Sequence, residues 1–324
     1  MDHAIVFDTA GGPDVLRLVP VEVGAPGSGE VRIRHRAIGI NFIDTYQRSG
    51  LYPVALPSGL GQEAAGVVEA VGAGVTHVAP GDRVAYAGGT PGAYSTARLL
   101  PASVLVKLPE TIGDDAAASM MLQGMTVEYL VRRTFRVEPG MTVLWHAIAG
   151  GVGQIALQWL KAMDVTIIGT VGSEDKAALA RGMGCHHVIN YRDEDVVARV
   201  REITGGKGVP VVYDSVGKDT FRVSLDCLAR RGTFVSFGNA SGPVPDIAPL
   251  QLAGKGSLYV TRPRLADYIA TREELEESSG ELFSRVADGT LSIRPSHRFA
   301  LADAAKAHRA LENRETTGSV ILEP

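Results

Sequence analysis

Thr142-Val143-Leu144-Trp145-His146-Ala147-Ile148-Ala149-Gly150-Gly151-Val152-Gly153 is the stretch whose reading decides the fold. Its first half is a short apolar run of strand length, and its second half is a glycine loop. Beyond the loop, Val152, Ile155, Ala156, Trp159, Leu160 and Met163 recur at the spacing of one helix face. A strand that enters a helix through glycines lets the backbone come close to a ligand. The start of the helix then offers its unpaired N–H groups to a pyrophosphate. A bare strand-to-helix turn would look similar, so the surrounding pattern has to separate the two. The usual form of this loop has its first glycine where Ile148 stands.

The pattern downstream favours the nucleotide loop. A second strand is expected over 165–171, a helix over 174–181 and a third strand over 187–191. Val196, Val197, Val200 and Ile203 mark a third helix, and strands follow over 209–214, 234–237 and 258–260. This β-α-β-α alternation predicts a doubly wound parallel sheet with helices on both faces. Upstream, Glu30-Val31-Arg32-Ile33-Arg34 alternates as a half-buried strand does. Pro80-Gly81-Asp82 and Gly88-Gly89-Thr90-Pro91-Gly92 are turn signals. The first third therefore reads as a small β-rich domain. Helices over 272–288 and 303–313 and a strand over 319–322 close the chain. The expected organisation is a β-rich domain 1–124, an α/β domain 125–264 and a C-terminal segment 265–324 that returns to the first domain.

Composition sets the outer bounds. The chain has 324 residues, which suits two cores rather than one. Its net charge of −4 gives no general attraction to nucleic acid. Met1-Asp2-His3-Ala4-Ile5-Val6 has neither the basic start nor the apolar stretch of a signal peptide, and no apolar run is long enough for a membrane span. Cys185 and Cys227 are far apart, without metal-type spacing, and read as buried small hydrophobes in a reducing compartment. The expected setting is cytoplasmic.

The second strand carries the cofactor preference. NAD-binding folds place a carboxylate at its tip to hold the ribose 2′-hydroxyl. Here the strand ends in Val171-Gly172-Ser173, and Lys176 follows in the first helical turn. A cation at a helix start opposes the helix dipole unless an anion lies nearby. The 2′-phosphate of NADPH would be that anion, although Glu174 and Asp175 are alternative partners. Tyr191, at the end of the third strand, could pack on the adenosine.

Further motifs carry a family resemblance. Gly39-Ile40-Asn41-Phe42-Ile43-Asp44-Thr45-Tyr46 and Ser49-Gly50-Leu51-Tyr52-Pro53 form one signature. Gly61-Gln62-Glu63-Ala64-Ala65-Gly66, Pro80-Gly81-Asp82-Arg83-Val84 and the glycine loop add to it. So do Val212-Tyr213-Asp214-Ser215-Val216-Gly217, Val235-Ser236-Phe237-Gly238-Asn239 and Tyr259-Val260-Thr261-Arg262-Pro263. In this order, over essentially the whole chain, they resemble the bacterial NADPH:quinone oxidoreductases. These are zeta-crystallin relatives in the medium-chain dehydrogenase/reductase superfamily.

The resemblance implies a chaperonin-10-like (GroES-like) catalytic domain joined to a Rossmann domain, with nicotinamide and substrate in the cleft between them. It assigns cofactor contacts to Asn41, Tyr46, Thr126, Gly150, Gly151, Val152, Gly172, Ser173, Lys176, Tyr191, Ser215, Phe237, Gly238, Asn239, Val260, Thr261, Arg262 and Arg314. It also implies a homodimer built through edge strands of the nucleotide domains. The apolar, β-prone segment 257–260 is the candidate edge.

Zinc-dependent members of the superfamily carry Cys where Asn41 stands and His where Gln62 stands. Zinc takes thiolate, imidazole or carboxylate ligands, and carboxamides are poor substitutes. No metal is expected, and the histidines read as ordinary core or surface residues. A quinone needs little Lewis-acid help, because it is electron-poor and becomes aromatic on reduction. Asn41, Gln62, Tyr46 and Tyr52 are the polar candidates for orienting the acceptor and stabilising charge on its oxygen. Tyr46 is the first choice for orienting cofactor or substrate, whereas Tyr52 could equally be a packing residue at a domain edge. Quinone reduction is the leading expectation, by one- or two-electron transfer. Reduction of an activated C=C bond in an enal or enone is the alternative. An RNA-binding or structural role of the zeta-crystallin kind is a third reading, disfavoured by the acidic charge.

Overall fold

The computed structural model describes all of residues 1–324. The chain forms two compact units, Met1–Met125 with Tyr268–Pro324, and Thr126–Asp267.

The second unit is built on a six-stranded, all-parallel sheet. Its spatial order is His187–Asn190, Thr166–Val171, Thr142–Trp145, Val209–Asp214, Leu228–Ser236, Tyr259–Thr261. Counted along the chain this is 3-2-1-4-5-6. The order reverses beside the first strand, and such a switch point opens a crevice at the C-terminal ends of the strands. The helix Gly151–Ala162 forms because its apolar residues fall on one stripe, and it buries Ile155, Ala156, Leu157, Trp159 and Leu160. Each of the larger aliphatic side chains among them contributes about 1.5–3 kcal/mol when fully buried.

The fifth strand begins at Leu228, well before the expected 234. Arg230 and Arg231 interrupt its apolar pattern, and both are exposed. Arg231 also takes a positive φ of 63°, where the pairing with the fourth strand shifts register. Local polarity therefore hid a segment that tertiary pairing makes a strand.

The helix Met121–Tyr129 runs on into a π-helical turn, Leu130–Thr134. Such a turn disturbs the regular ladder of backbone hydrogen bonds. The Leu130 carbonyl accepts the Phe135 N–H, and the buried Tyr213 hydroxyl donates to the same oxygen, each at 3.2 Å.

The first unit is organised around the strand Glu30–Ile40. Its first half alternates, with Val31, Ile33 and His35 inward and Arg32 and Arg34 outward or half-covered; from Ala37 onward every residue is buried. Antiparallel neighbours are Glu63–Val71, Ala97–Pro101 and, from the far end of the chain, Ser319–Glu323. The last of these sets Ile321 opposite Gly39. Pro295–Ala300 extends the sheet in parallel with it. The core beneath gathers Phe7, Ile33, Ile38, Leu60, Tyr86, Tyr94 and Leu105 with Leu301, Leu311, Val320 and Leu322 of the C-terminal segment.

Candidate functional site

Fourteen of the residues expected to contact a cofactor fall on one edge of the second unit, at or just beyond the C-terminal ends of its strands. Gly150, Gly151 and Val152 follow the first strand. Gly172, Ser173 and Lys176 follow the second, and Tyr191 the third. Ser215 follows the fourth, Phe237, Gly238 and Asn239 the fifth, and Val260, Thr261 and Arg262 end the sixth. Thr126 opens this unit, whereas Asn41, Tyr46 and Arg314 belong to the first.

The turn left open by Ile148 has a clear shape. Ala147 adopts the left-handed conformation, with φ of 54°, and its carbonyl accepts the Gly150 N–H at 3.0 Å. Ile148 turns inward and is 1% exposed. It fills the notch left by Gly169, where a Cβ would lie 2.6 Å from the Ile148 Cγ2. The tight turn is thus made one residue early, and position 148 is free to be a core residue.

The edge fits NADPH on three observations. Gly150 caps the helix without any side-chain bond, so the N–H groups of the first turn keep their donors for a ligand. Backbones approach closely here: a Cβ at Gly153 would lie 2.5 Å from the Ile148 oxygen, and one at Gly238 2.5 Å from the Ser215 oxygen. At the tip of the second strand, the Ser173 side chain accepts the Lys176 N–H at 3.4 Å. Glu174, one of the alternative partners for Lys176, is paired with Arg181 at 2.5 Å. Tyr191 is 42% exposed, and its ring lies over Gly172, where a Cβ would meet the hydroxyl at 2.2 Å.

Asp214 is a residue whose role sequence reasoning missed. One of its oxygens accepts the N–H groups of Val216 and Gly217 at 2.8 and 3.0 Å; the other accepts the hydroxyls of Thr220 and Ser224, each at 2.7 Å. The loop that carries Ser215 is pinned in this way. Ser224 is in turn bonded to His146, whose other nitrogen meets Thr170 at 2.9 Å. A carboxylate closing the apolar run Val209-Pro210-Val211-Val212-Tyr213 was the available signal.

In the first unit, the helix Phe42–Ser49 begins at Asn41. Tyr46 is 7% exposed and packs edge-on against the half-buried Tyr52, with ring centroids 5.3 Å apart; Phe42 lies on its other side at 6.3 Å. Gln62 is half-buried and holds the neighbouring loop through its carbonyl, which accepts the Gly88 N–H.

Asn41 is 6% exposed. Its amide nitrogen donates to Glu63 at 2.6 Å, and its oxygen accepts from Gln123 at 3.2 Å. Glu63 is fully buried, and burial pushes its carboxyl up to about 8 despite the donors that oppose the shift. Asp44 accepts the Asn41 backbone N–H and the Tyr94 hydroxyl; burial raises it to about 7.

No three His, Cys, Asp or Glu side chains gather as a metal-holding group. Among the histidines, His35 is buried against the Ser95 carbonyl and the Tyr86 hydroxyl. Cys185 and Cys227 are buried free thiols, pushed by burial up to about 11 and about 12. No helix is long and apolar enough to cross a membrane.

Residues 27–110 match the alcohol dehydrogenase GroES-like domain, and residues 151–279 match the domain described as zinc-binding dehydrogenase. The quinone oxidoreductase of Salmonella typhimurium is 55% identical over 327 aligned positions, covering all of both chains. The 2-haloacrylate reductase of a Burkholderia species is 47% identical, covering all of this chain and 99% of its own. The crystal structure of Escherichia coli quinone oxidoreductase complexed with NADPH superposes with a TM-score of 0.97 at 52% identity, over 99% of this chain and 100% of that one. By full-length identity and by fold, this chain belongs to the quinone oxidoreductases of the medium-chain dehydrogenase/reductase superfamily.

Proposed function

We propose that this chain is an NADPH-dependent quinone reductase that works without a metal ion. The full-length match to quinone oxidoreductases carries the reading. NADPH would be held along the C-terminal edge of the parallel sheet by the glycine loop, Ser173, Lys176, Tyr191, the 215 and 237–239 loops and Arg262, with Asn41, Tyr46, Thr126 and Arg314 completing its contacts. When bound, it supplies the reducing equivalents to the quinone. The Tyr46–Tyr52 pair offers aromatic edges and faces for a planar acceptor. Asn41 offers an amide donor to a quinone oxygen as negative charge develops on it.

Steady-state NADPH oxidation with 1,4-naphthoquinone, 2-chloroacrylate and a simple enone tests the reading. Quinone turnover should exceed the other two. Faster turnover of 2-chloroacrylate or the enone would replace it with reduction of an activated C=C bond, which the 47% identity to a 2-haloacrylate reductase favours as the second reading.

Zinc-independence rests on ligand chemistry. Asn41 and Gln62 stand where zinc-dependent relatives carry Cys and His, and a carboxamide does not replace a thiolate or imidazole at a zinc site. The purified protein is expected to contain well under one zinc per chain and to keep its activity in chelator. Stoichiometric zinc together with chelator-sensitive activity would refute this.

We further propose a homodimer in the cytoplasm. The strand Tyr259–Thr261 is an unpaired edge of the six-stranded sheet, and Tyr259 on it is 58% exposed. Such an edge invites pairing with its own copy. Light scattering at micromolar protein should report about twice the 34.2 kDa chain mass. A monomer mass would count against the assembly. The two buried free thiols suit a reducing compartment.

A further inference from the structure

We propose that Glu63 is a positioning residue that sets which way round the Asn41 carboxamide lies, so that one Asn41 N–H is presented to the carbonyl oxygen of the acceptor. The inference rests on the quinone-reductase reading above and adds a residue to it.

The argument is one of hydrogen-bond direction. The Ser319 hydroxyl donates to the Gln123 side-chain oxygen at 2.9 Å. The Gln123 nitrogen donates to the Asn41 oxygen at 3.2 Å, and the Asn41 nitrogen donates to Glu63 Oε2 at 2.6 Å. Every link runs the same way and ends on a carboxylate. The second carboxylate oxygen, Oε1, accepts the backbone N–H of Leu122 at 2.8 Å. One donor is thus fixed on each oxygen, and the backbone N–H of Met121 adds to the stabilisation of the charged carboxylate. A carboxamide nitrogen has two N–H groups. One Asn41 N–H is used on Glu63, and the other remains for a substrate oxygen.

The surroundings are built around this carboxyl. A Cβ at Gly39 would lie 2.4 Å from Glu63 Oε2 and 2.4 Å from the Ala118 oxygen, so glycine there leaves the room it occupies. Asn41, Glu63, Gln123 and Ser319 are all buried.

The fixed element is the Leu122 N–H, which is backbone and cannot turn over. In Glu63→Gln it retains the new side chain's oxygen, so the new NH2 group faces Asn41. Asn41 must then present its oxygen to that group, and Gln123 turns over in response. Ser319 can follow, because its hydroxyl also reaches the Ser119 carbonyl at 3.0 Å. Every bond in the chain is remade, yet Asn41 now shows the acceptor a lone pair where it showed an N–H. Protonating Glu63 has the same consequence, since Leu122 occupies Oε1 and directs the proton to Oε2. The titratable groups that face Glu63 are Asp44 on the helix Phe42–Ser49, Tyr86 on the strand Arg83–Ala87 and Tyr94 in the loop before Ala97–Pro101.

The test measures kcat/KM for 1,4-naphthoquinone with saturating NADPH from pH 6 to 10, in wild type and Glu63→Gln. The wild type should rise with pH to a plateau as Glu63 loses its proton. The variant should be flat, at the wild type's low-pH level and roughly 100- to 1,000-fold below the plateau, the usual effect of losing one donor to a developing oxyanion. Its melting temperature should match the wild type. A variant that reaches the wild-type plateau overturns the inference.

If Glu63→Gln fails to fold, Asn41→Ala takes its place. It leaves Glu63 in position and should show the same loss and no acid limb; a retained limb overturns the inference. The Asn41 side-chain amide resonances give a readout free of turnover. One proton should be shifted downfield by its carboxylate partner at pH 9 in the wild type but not in Glu63→Gln. Identical amide spectra overturn the inference even if the protein reduces no quinone, an outcome that would separately refute the functional reading.

Discussion

Lys176→Ala is expected to weaken NADPH binding by roughly ten- to a hundredfold and to leave NADH binding nearly unchanged. The second strand ends at Val171 with no carboxylate at its tip to grip a free 2′-hydroxyl; Glu174 and Asp175 come only in the helical turn that follows. Lys176 stands three residues beyond the cap Ser173, in the first turn of the helix Glu174–Gly182, where the helix dipole already favours an anion. Glu174 is paired with Arg181, two turns further along the helix. A charge-assisted bond to phosphate is worth about 1.5–3 kcal/mol, which is the predicted factor. The measurement is the dissociation constant of each cofactor for both proteins. Equal weakening of the two cofactors would make Lys176 structural. A wild type that binds NADH as tightly as NADPH would remove the basis of the argument.

Arg48→Ala is expected to cost the first unit about 1.5–3 kcal/mol, the range for hydrogen bonds to a charged group, because Arg48 is buried while its partner Glu312 is exposed and stays solvated once the guanidinium is gone. Arg48 is 2% exposed. Its guanidinium grips both oxygens of Glu312, at 2.6 and 3.1 Å, and donates to His308 Nδ1 and the Gly11 carbonyl, each at 3.0 Å. A guanidinium only donates, so His308 Nδ1 must accept and its proton lies on Nε2. That proton goes to the Tyr94 oxygen at 3.0 Å, and the Tyr94 hydroxyl donates to Asp44 at 2.9 Å. Burial, helped by the Arg48 charge, holds His308 down at about 3 and so keeps it neutral for this task.

The chain of bonds ties the helix that starts at Asn41 to the C-terminal helix Ala304–Glu312. Its loss should lower the melting temperature by roughly 3–12 °C, at about 2–4 °C per kcal/mol for a domain of this size. Arg48→Met restores the stem but not the donors, and should recover only a minor part. A loss below about 1 kcal/mol for Arg48→Ala would show that water replaces the guanidinium and that the network is not a source of stability.

The α/β half was legible because its signals are local. Parallel strands buried on both faces must be apolar along their length, and the helices between them must carry an apolar stripe. Thr142 to Val171 shows both features, and strand and helix followed from periodicity. That fourteen of the expected cofactor contacts share one edge was legible too, since they stand at or just beyond strand ends and the fold brings strand ends together. The strand Leu228–Ser236 escaped in part, because Arg230 and Arg231 break the period and only pairing with Val209–Asp214 makes that stretch a strand.

The sequence by itself determined the class of fold, the glycine loop between the first strand and its helix, and the missing carboxylate at the tip of the second strand. Each is a property of residues a few positions apart, or of a motif matched in order. Tertiary structure decided the rest. That Ala147 rather than position 148 makes the tight turn depends on Gly169 leaving a notch for Ile148. That Asp214 holds a loop, and that Glu63, Gln123 and Ser319 orient Asn41, depends on groups up to about three hundred residues apart along the chain. A buried carboxyl is visible in sequence only as a charge in an apolar run. What it bonds to is set by which backbone and side-chain donors the fold brings within 3 Å of it, and no local pattern records that.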